Sequence, residues 1–320
     1  MVLKIAMLQT LSPELRDRVL PLVPEGFVLD VTRSTDLPDL LEVIGDADYA
    51  VAFGMSVPEE ALRAAKRLRL LHRWGVGVDG VPLDTCGELG VVVAKCTGSN
   101  ARPVAEFAVG AMLACSRSLI VADRSTKEGQ WLKKQVWMRN TMLAGRTVGL
   151  VGFGAIARKV AQLLSGFGCD VLYTKRTRLP EDEEAALGVR FAAMDAILEA
   201  DIVSLHCPLN DRTRNMIGAA ELDRMKPHAI LVNTARGGLV DEDALATALR
   251  TGKIRAAAID VFEREPVDAD NPLLGLDNVI LSPHIAANAF DNIDNEIRHW
   301  MTNIQKHSNG EAIDPQDIVG

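Results

Sequence analysis

The stretch "TVGLVGFGAIARKVAQLL", residues 147–164, carries the pattern on which the fold prediction depends. It begins as an apolar strand, turns through glycines and continues as an amphipathic helix. Gly152 permits a tight turn, and Gly154 lets backbone N–H groups approach a phosphate at the helix N-terminus. Ala157 stands at the third position of this GxGxxA pattern. In a strand–turn–helix context we predict dinucleotide binding, with an ordinary structural turn as the alternative.

The next predicted strand ends in "VLYTKRTRLP", residues 171–180. In a site for NAD, an acidic residue at this point accepts hydrogen bonds from the ribose hydroxyls. Thr174, Lys175 and Arg176 stand here instead, so a 2′-phosphate would meet cations rather than a repelling carboxylate. We therefore predict that NADP(H) is preferred and that NAD(H) is possible. The alternative is a solvated basic turn that tolerates either cofactor.

Outward from this motif, short apolar strands alternate with helical patterns along the chain. One series of predicted strands covers 3–8, 27–31, 49–53, 68–72 and 90–94, and a second covers 147–152, 169–174, 201–206, 229–234, 256–260 and 278–284. Such alternation indicates parallel sheets with helices on both faces, with a single barrel as the alternative. A long helical pattern after His284 suggests a return to the first series. We predict one domain over 1–100 and 285–320, and another over 101–284.

The composition limits the class of protein and of partner. The 320 residues suit about two domains, and 48% of them are hydrophobic, which is enough for two cores. Acidic residues outnumber basic ones, 43 to 35, which argues against a nucleic-acid binder or a membrane-surface protein. No apolar run reaches the roughly 20 residues of a membrane span. The five cysteines form no CxxC pair and the six histidines no HExxH spacing, so we expect reduced thiols, a cytoplasmic location and no metal site.

Three ionisable residues follow consecutive predicted strands of the second series. Arg236 lies in "VNTARGGLVDEDAL", Glu265 in "AIDVFEREP" and His284 in "ILSPHIAANA". Because ligands bind beyond the carboxyl ends of parallel strands, all three are expected at one crevice. An arginine can grip a carboxylate through two hydrogen bonds, and an imidazole supported by a carboxylate can exchange a proton near neutral pH. By spacing alone, each residue also fits a structural role, as an ion pair, a turn cap or a partner of a buried carbonyl.

With these motifs in order, the chain resembles the D-2-hydroxyacid dehydrogenase family over essentially its whole length. Further matching stretches are "RWGVGVDGVPLD" (73–84), "PVAEFAVGAML" (103–113), "GRTVGLVGFGAIA" (145–157) and "SLHCPLNDRTRNMIG" (204–218). The resemblance implies an α/β protein with two doubly wound parallel-sheet domains, in which a Rossmann-type cofactor domain is inserted in a flavodoxin-like substrate-binding domain. It also implies an active-site cleft between the domains and a homodimer built largely through the cofactor domains.

The resemblance assigns roles to individual residues. Arg236 binds the carboxylate and carbonyl oxygen of the substrate, His284 transfers the proton, and Glu265 supports His284. The backbone N–H groups of Val76 and Gly77 bind the substrate carboxylate. Asp260 matches the position that holds the nicotinamide carboxamide, and His206 matches a residue that lines the cofactor rather than a second base. The implied cofactor contacts are Gly152, Phe153, Gly154, Ala155, Ile156, Thr174, Lys175, Arg176, His206, Cys207, Pro208, Thr213, Thr234, Ala235, Asp260 and Ala286.

The chain departs from the family pattern at two of these places. Ala157 replaces the usual third glycine, and Thr174 replaces the usual acid. The irregular arm "VWMRN", residues 136–140, resembles the arm that reaches towards the partner subunit's active site in glyoxylate and hydroxypyruvate reductases. For Trp137 in that arm, a place in the core of a dimer interface is the alternative.

The implied reaction is the reduction of a small 2-oxo acid, such as glyoxylate or hydroxypyruvate, to the D-2-hydroxy acid by hydride transfer from the cofactor. D-3-phosphoglycerate dehydrogenase is the rival within the family. Its members tend to carry arginine after the third strand, whereas "AFGMSVPEE", residues 52–60, has no base there and only Arg73 is a possible substitute. Formate dehydrogenases carry glutamine at the position of Glu265. A dinucleotide-sensing binding protein of the same fold is the alternative from another class.

Overall fold

The computed structural model describes residues 2–319. The chain divides into two compact units, of which the first comprises Met1–Asn100 with Ala289–Gly320 and the second Ala101–Asn288. The predicted second boundary, after residue 284, lies earlier than this division. Residues 285–288 remain with the second unit because the backbone N–H groups of Ile285 and Ala286 donate to the carboxylate of Asp260.

The predicted strands are present at nearly the predicted places, and most of them are shorter than predicted. In chain order they are β1 Leu3–Met7, β2 Phe27–Val31, β3 Tyr49–Ala52, β4 Leu70–Arg73, β5 Val92–Lys95, β6 Thr147–Val151, β7 Asp170–Thr174, β8 Val189–Phe191, β9 Ile202–Leu205, β10 Ile230–Asn233, β11 Ala256–Ile259, β12 Val279–Leu281 and β13 Ile318–Val319.

Helices connect these strands. They are α1 Pro13–Val19, α2 Leu37–Ile44, α3 Glu59–Ala64, α4 Leu83–Glu88, α5 Ala101–Ser116, α6 Leu119–Lys127, α7 Lys133–Trp137, α8 Ala155–Ser165, α9 Glu181–Leu187, α10 Met194–Leu198, α11 Ala219–Arg224, α12 Glu242–Arg250 and α13 Ile293–Ser308, with short 3-10 turns at Leu20–Leu22, Gly237–Leu239 and Phe290–Asn292.

The first unit is built on a six-stranded sheet in the order β13-β5-β4-β3-β1-β2. Its strands are parallel except for β13, which pairs antiparallel with β5. Successive residues of β1 enter different cores, since Ala6 packs with Leu40 of α2 and Ile5 packs with Trp300 of α13. Both faces of the sheet are therefore covered by helices, in the flavodoxin-like strand order.

The second unit is built on a seven-stranded sheet in the order β12-β11-β10-β9-β6-β7-β8, parallel throughout. The chain starts in the middle at β6, winds outward to β8, then returns to β9 and winds the other way. This is the Rossmann-type order, and the point where the direction reverses lies between β6 and β9. Two open doubly wound sheets confirm the predicted fold class and exclude the barrel.

Local sequence explains why the helix after the glycine turn forms. Ala157, Val160, Ala161 and Leu164 of α8 recur at helical spacing, and all four are buried. They join the core on one face of the second sheet, which α5 also covers. The methyl group of Ala157 is fully buried in that core, so the departure from glycine is accommodated by packing.

The sequence patterns missed three short elements. Strand β8 has only one buried apolar residue, Val189, and β13 consists of two half-buried residues at the sheet edge, so neither has an apolar run. Helix α7, Lys133–Trp137, ends inside the arm that was predicted to be irregular. Tertiary pairing rather than local pattern therefore specifies these elements.

Helices α5 and α6 together are the candidate for a membrane-spanning segment in the described chain. Within residues 2–319, no helix on its own is both long and apolar enough to cross a bilayer, and α5 with α6 passes only as a pair bent by 63°.

Candidate active site

The candidate residues of the second unit gather at one edge of its sheet. Since the strands are parallel, their carboxyl ends and the loops that follow them share this edge. Gly152 follows β6, Thr174 ends β7, His206 follows β9, Arg236 follows β10, Glu265 follows β11 and His284 follows β12. The fold therefore brings these six sequence-distant residues to the same side of one sheet.

His284 and Glu265 form a contacting pair. Nδ1 of His284 lies 2.7 Å from Oε2 of Glu265, and the other carboxylate oxygen of Glu265 accepts the backbone N–H of Phe262 at 3.0 Å. Both side chains are partly exposed. In the described part of the chain, Nε2 of His284 has no hydrogen-bond partner. The carboxylate thus holds the imidazole at Nδ1, and Nε2 is available to a ligand.

Asp260 fixes the backbone of the histidine loop. The residue is 1% exposed, and its carboxylate accepts hydrogen bonds from the hydroxyl of Ser282 at 2.6 Å and from the backbone N–H groups of Ile285 and Ala286 at 2.9 and 2.8 Å. Its carbonyl oxygen also accepts the N–H of His284, whose φ of 53° lies in the left-handed region. These bonds hold a conformation that non-glycine residues rarely adopt. The contact of Asp260 with a carboxamide stays a prediction.

The turn of Arg236 packs against the segment that leads to Glu265. A Cβ on Gly237 would lie only 1.9 Å from the backbone carbon of Phe262, so glycine is required for this close approach. The turn is closed by Asn233, whose Nδ2 donates to the carbonyl oxygen of Arg236 at 2.9 Å. The guanidinium itself donates to the carbonyl of Ala235. Backbone packing therefore sets the positions of Arg236 and Glu265 relative to each other.

The glycine turn after β6 presents unpaired backbone donors. Gly152 has a φ of 86°, and a Cβ there would come within 2.7 Å of the backbone of His206 and Cys207. Around Gly154 nothing lies within 4 Å of an added Cβ. Among the residues that the structure describes, no acceptor meets the N–H groups of Phe153, Gly154, Ala155 or Ile156. This helix N-terminus is arranged for an anion such as a pyrophosphate.

At the end of β7, the three residues of the predicted 2′-phosphate contact lie together. Thr174 and Lys175 are half-buried and Arg176 is exposed. The side chains of all three lack any hydrogen-bond or ion-pair partner within residues 2–319. Their groups are available to a ligand phosphate.

The loop after β9 supplies packing and internal bonds rather than catalytic groups. Nε2 of His206 lies 2.9 Å from the hydroxyl of Ser204, and burial lowers the pKa of His206 to about 4. Burial likewise raises the pKa of Cys207 to about 11. The hydroxyl of Thr213 donates to the carbonyl of Pro208 at 2.8 Å and so closes its own loop. A neutral imidazole and a neutral thiol suit a wall along a cofactor.

The hydroxyl group of Thr234 bears on whether the site fits a dinucleotide. Its hydroxyl oxygen is buried without a hydrogen-bond partner in the described structure, beside the half-buried Ala235. Buried hydroxyls are normally paired, so an unpaired one indicates a partner outside the chain. Together with the open donors at Gly154 and the cations at Lys175 and Arg176, this hydroxyl fits a nicotinamide dinucleotide.

In the first unit, the turn after β4 carries the two residues predicted to bind the substrate carboxylate. No acceptor in the described chain meets the N–H groups of Val76 and Gly77. Arg73, 9% exposed, holds this turn by donating to the carbonyls of Gly77 at 3.2 Å and Met55 at 2.7 Å. Consecutive unpaired N–H groups on a braced turn form an anion nest.

Within residues 2–319, no group of three or more histidine, cysteine, aspartate or glutamate side chains is placed to hold a metal ion.

Comparison with known families decides which class of protein carries this site. Residues 109–286, more than half of the chain, match the model of the D-isomer specific 2-hydroxyacid dehydrogenase NAD-binding domain. The chain belongs to this family. The D-2-hydroxyacid dehydrogenase resemblance is thereby confirmed, and the matched segment lies within the second unit.

Curated relatives cover most of the dehydrogenase. It is 39% identical to the glyoxylate reductase of Korarchaeum cryptofilum over 86% of its own length and 84% of the relative's. It is 38% identical to the hydroxypyruvate reductase of Thermotoga maritima, over 81% and 84% of the two lengths. A D-3-phosphoglycerate dehydrogenase of Methanocaldococcus jannaschii is also 38% identical over 85% of the chain, but the chain spans only 52% of that relative.

A solved structure agrees with the fold of the dehydrogenase. The TT0316 protein from Thermus thermophilus superposes with a TM-score of 0.86 at 30% identity, and the match covers 99% of this chain and 100% of that one. The enzyme is therefore an oxidoreductase with a nicotinamide-binding domain in the second unit.

Sequence reasoning missed several residues that build the dehydrogenase site. Ser282 and Asn233 hold the loops of His284 and Arg236, and Gly237 permits the Arg236 turn to pack closely against Phe262. The only sequence signal was the paired glycine in "ARGGL". Neither residue carries a pattern of its own: Ser282 bonds Asp260 on another loop, and Asn233 bonds within its own turn.

Proposed function

We propose that the dehydrogenase reduces a small 2-oxo acid of the glyoxylate or hydroxypyruvate type to the D-2-hydroxy acid. The observation that carries the proposal is the contact of Nδ1 of His284 with Glu265, which leaves Nε2 open on the carboxyl edge of the sheet. The glyoxylate and hydroxypyruvate reductases that the chain matches over most of its length support the same substrate class.

The roles of the residues follow from their chemistry. When bound, the nicotinamide cofactor supplies the hydride. His284 holds a proton on Nε2 and passes it to the former carbonyl oxygen, and Glu265 balances the charge of the protonated ring. Arg236 grips the carboxylate and carbonyl oxygen of the substrate. In the first unit, the N–H groups of Val76 and Gly77 suit a carboxylate.

The residues of the second unit that hold the cofactor divide by the part they bind. The N–H groups at Phe153, Gly154, Ala155 and Ile156 suit the pyrophosphate, and Gly152 lets them approach it. The contacts assigned along the rest of the cofactor are His206, Cys207, Pro208, Thr213, Thr234, Ala235, Asp260 and Ala286. Of these, the unpaired hydroxyl of Thr234 is the strongest support, since its burial costs free energy unless a ligand pairs it.

We further assign NADP(H) as the preferred cofactor. The carboxyl end of β7 has Thr174 in place of an acid, so no carboxylate there repels a 2′-phosphate. Arg176 can bind the phosphate through two N–H groups, and Lys175 adds a second cation. NAD(H) remains usable because the pyrophosphate contacts do not depend on these residues.

D-3-phosphoglycerate dehydrogenase activity is the second candidate, which the curated relative of that name favours. Two observations weigh against a phosphorylated substrate. The loop at residues 52–60 contains no base, and the guanidinium of Arg73 already bonds the carbonyls of Met55 and Gly77.

We also propose a homodimer and a cytoplasmic location. Trp137 and Met138 in the arm are 74% and 79% exposed, and Trp131 and Met142, close to them in the sequence, are exposed as well. A second copy would bury such large apolar side chains. The five cysteines are free, which fits a reducing compartment. Sedimentation should give a dimer that Trp137→Ala weakens; a wild-type monomer would refute the assembly.

A single panel of assays tests the activity. Purified protein receives glyoxylate, hydroxypyruvate, pyruvate, 2-ketogluconate or 3-phosphohydroxypyruvate, each with NADPH and with NADH, and cofactor oxidation is followed by absorbance. We expect the highest kcat/KM for glyoxylate or hydroxypyruvate with NADPH. A preference for 3-phosphohydroxypyruvate would establish the second candidate, and dinucleotide binding without turnover of any acid would identify a sensing protein.

A further inference from the structure

Arg178 is the third base in the turn after β7 and, unlike Lys175 and Arg176, it is ion-paired within the protein. Arg178 donates to both carboxylate oxygens of Glu184, from Nε at 2.9 Å and from Nη2 at 2.7 Å. Glu184 lies in the first turns of α9 and is 7% exposed. Arg178 and Tyr173 hold the pKa of Glu184 at about 2, so this carboxylate is charged at any physiological pH. Arg178 is therefore engaged by the protein itself.

Tyr173 closes the base of the same turn. Its hydroxyl donates to Oε1 of Glu184 at 2.7 Å and accepts the backbone N–H of Leu179 at 2.8 Å. Its ring is fully buried and lies 4.4 Å, centroid to centroid, from that of Phe153 in the glycine turn. Residues 174–178 thus form a loop whose two ends are joined through one phenol.

Acidic residues in the first turns of α9 form ion pairs with two of the bases near this turn, so only the other bases can bind a ligand. Glu183 pairs with Arg158, whose guanidinium also lies over the ring of Phe153, and Glu184 pairs with Arg178. Lys175 and Arg176 have no such partner among the described residues. Of four bases close to this turn, α9 neutralises two and leaves two for a ligand.

We propose that Arg178, Glu184 and Tyr173 position the cofactor's 2′-phosphate site, by holding the turn from which Lys175 and Arg176 bind the phosphate. The inference rests on the proposed preference for NADP(H). Donors held in place before binding lose less conformational entropy when the phosphate arrives, so a fixed turn binds more tightly than a mobile one with the same charges. Arg178 is accordingly a positioning residue and not a phosphate ligand.

The test must separate geometry from charge. Removing Arg178 or Glu184 alone would change the local charge near a phosphate. The double variant Arg178→Met with Glu184→Gln removes the pair and keeps the net charge, and Tyr173→Phe removes only the hydroxyl. The matched control is Arg190→Met with Asp170→Asn, which deletes an exposed ion pair between β8 and the first residue of β7.

Binding of adenosine 2′,5′-bisphosphate and of adenosine 5′-monophosphate is measured by calorimetry, and KM and kcat with NADPH and NADH by steady-state assay. For the double variant we expect about tenfold weaker binding of the bisphosphate, the scale of one charged hydrogen bond, with the monophosphate changed less than about twofold. KM for NADPH should rise with kcat unchanged, Tyr173→Phe should act in the same direction, and the control should match wild type.

Equal weakening of both nucleotides, or of neither, would overturn the positioning role and leave a simple structural ion pair. If the double variant does not fold by circular dichroism, Tyr173→Phe decides by the same criteria. A wild-type protein that binds the two nucleotides equally would instead refute the proposed cofactor preference, so the two failures are distinguishable.

Discussion

Along the carboxyl edge of the second sheet, the ionisable groups after β10 to β12 differ from those after β7 in whether the protein itself binds them. At the end of β10 to β12, ionisable side chains bond to the protein, as His284 does to Glu265 and Asp260 does to Ser282. At the end of β7, Lys175 and Arg176 have no partner in the described chain. Proton transfer needs a ring whose orientation and charge are supported in advance, whereas recognition of an anion needs cations that nothing else has neutralised.

The comparison also explains why both ends need rigid supports. The buried Asp260 holds the His284 loop by accepting the backbone N–H of Ala286. Glu184 holds the turn after β7 by its ion pair with Arg178. In each case the supporting carboxylate is buried and hydrogen-bonded, whereas His284 and Arg176 are exposed and Lys175 is half-buried. Preorganisation therefore comes from residues that do not themselves face the ligand.

The largest effect is expected at the catalytic end. His284→Ala removes the proton donor, and kcat for 2-oxo acid reduction should fall by about 10²–10⁴-fold, the usual scale for general acid catalysis. Steady-state kinetics with NADPH measure it. His228→Ala is the control, because His228 lies at the opposite edge and pairs with Asp201. Near-normal turnover by His284→Ala would show that another group delivers the proton.

The cofactor end should respond in selectivity rather than in turnover. Thr174→Asp combined with Arg176→Ala restores an acid and removes one cation, and two charged contacts discounted for exposure are worth about 2–4 kcal/mol. The ratio of kcat/KM for NADPH over NADH should therefore fall by about 30–1,000-fold, with NADH activity kept or improved. Arg190→Ala, at an exposed pair away from the turn, should leave the ratio unchanged. A wild type that prefers NADH tenfold would mean that these bases are only surface charge.

A smaller change tests the support of His284. In Glu265→Gln a neutral amide replaces the carboxylate that contacts Nδ1 of His284, so the imidazole loses a charged hydrogen bond that orients it. kcat for 2-oxo acid reduction should fall by about tenfold, the scale of one charged hydrogen bond, with KM for the 2-oxo acid little changed. Turnover equal to that of wild type would remove Glu265 from this role.

The smallest effect is expected where charges serve stability alone. Asp201 precedes β9 at the amino edge, where it bonds Lys226 at 3.0 Å and His228 at 2.9 Å. Burial would raise the pKa of Asp201, but the N–H of Thr147 and these two bases lower it to about 2, below the ordinary 3.8. The folded form thus gains stability above about pH 4 and loses it as pH falls towards 2.

Asp201→Asn should accordingly lower the free energy of unfolding at pH 7 by about 1–2 kcal/mol, after allowance for solvent screening. The difference from wild type should shrink as pH falls through that window, which urea unfolding at several pH values measures. kcat should not change. A constant difference at all pH values would mean that the ion pairs do not account for the loss.

Elements with a continuous apolar run were predicted from the sequence, and elements without one were not. The long apolar strands β1, β6 and β10 were located, because strands buried on both faces read as continuous apolar runs. Strand β8 and the two-residue β13 were missed, since pairing with a neighbour creates them without an apolar run. Within the site, the positions of Arg236, Glu265 and His284 followed from the strands that precede them, but Ser282 and Asn233 gave no signal.

The sequence by itself determined the two doubly wound sheets, the glycine turn and the family. These are properties of local pattern and spacing, because strand–helix alternation forces parallel strands whose carboxyl ends share an edge. Only the tertiary structure decided which nitrogen of His284 faces Glu265, and that Glu184 engages Arg178 while Lys175 and Arg176 stay open. The first pairing joins two different loops, and the second joins a turn to helix α9, which follows it. Side-chain contacts between separate elements depend on packing that no local pattern encodes.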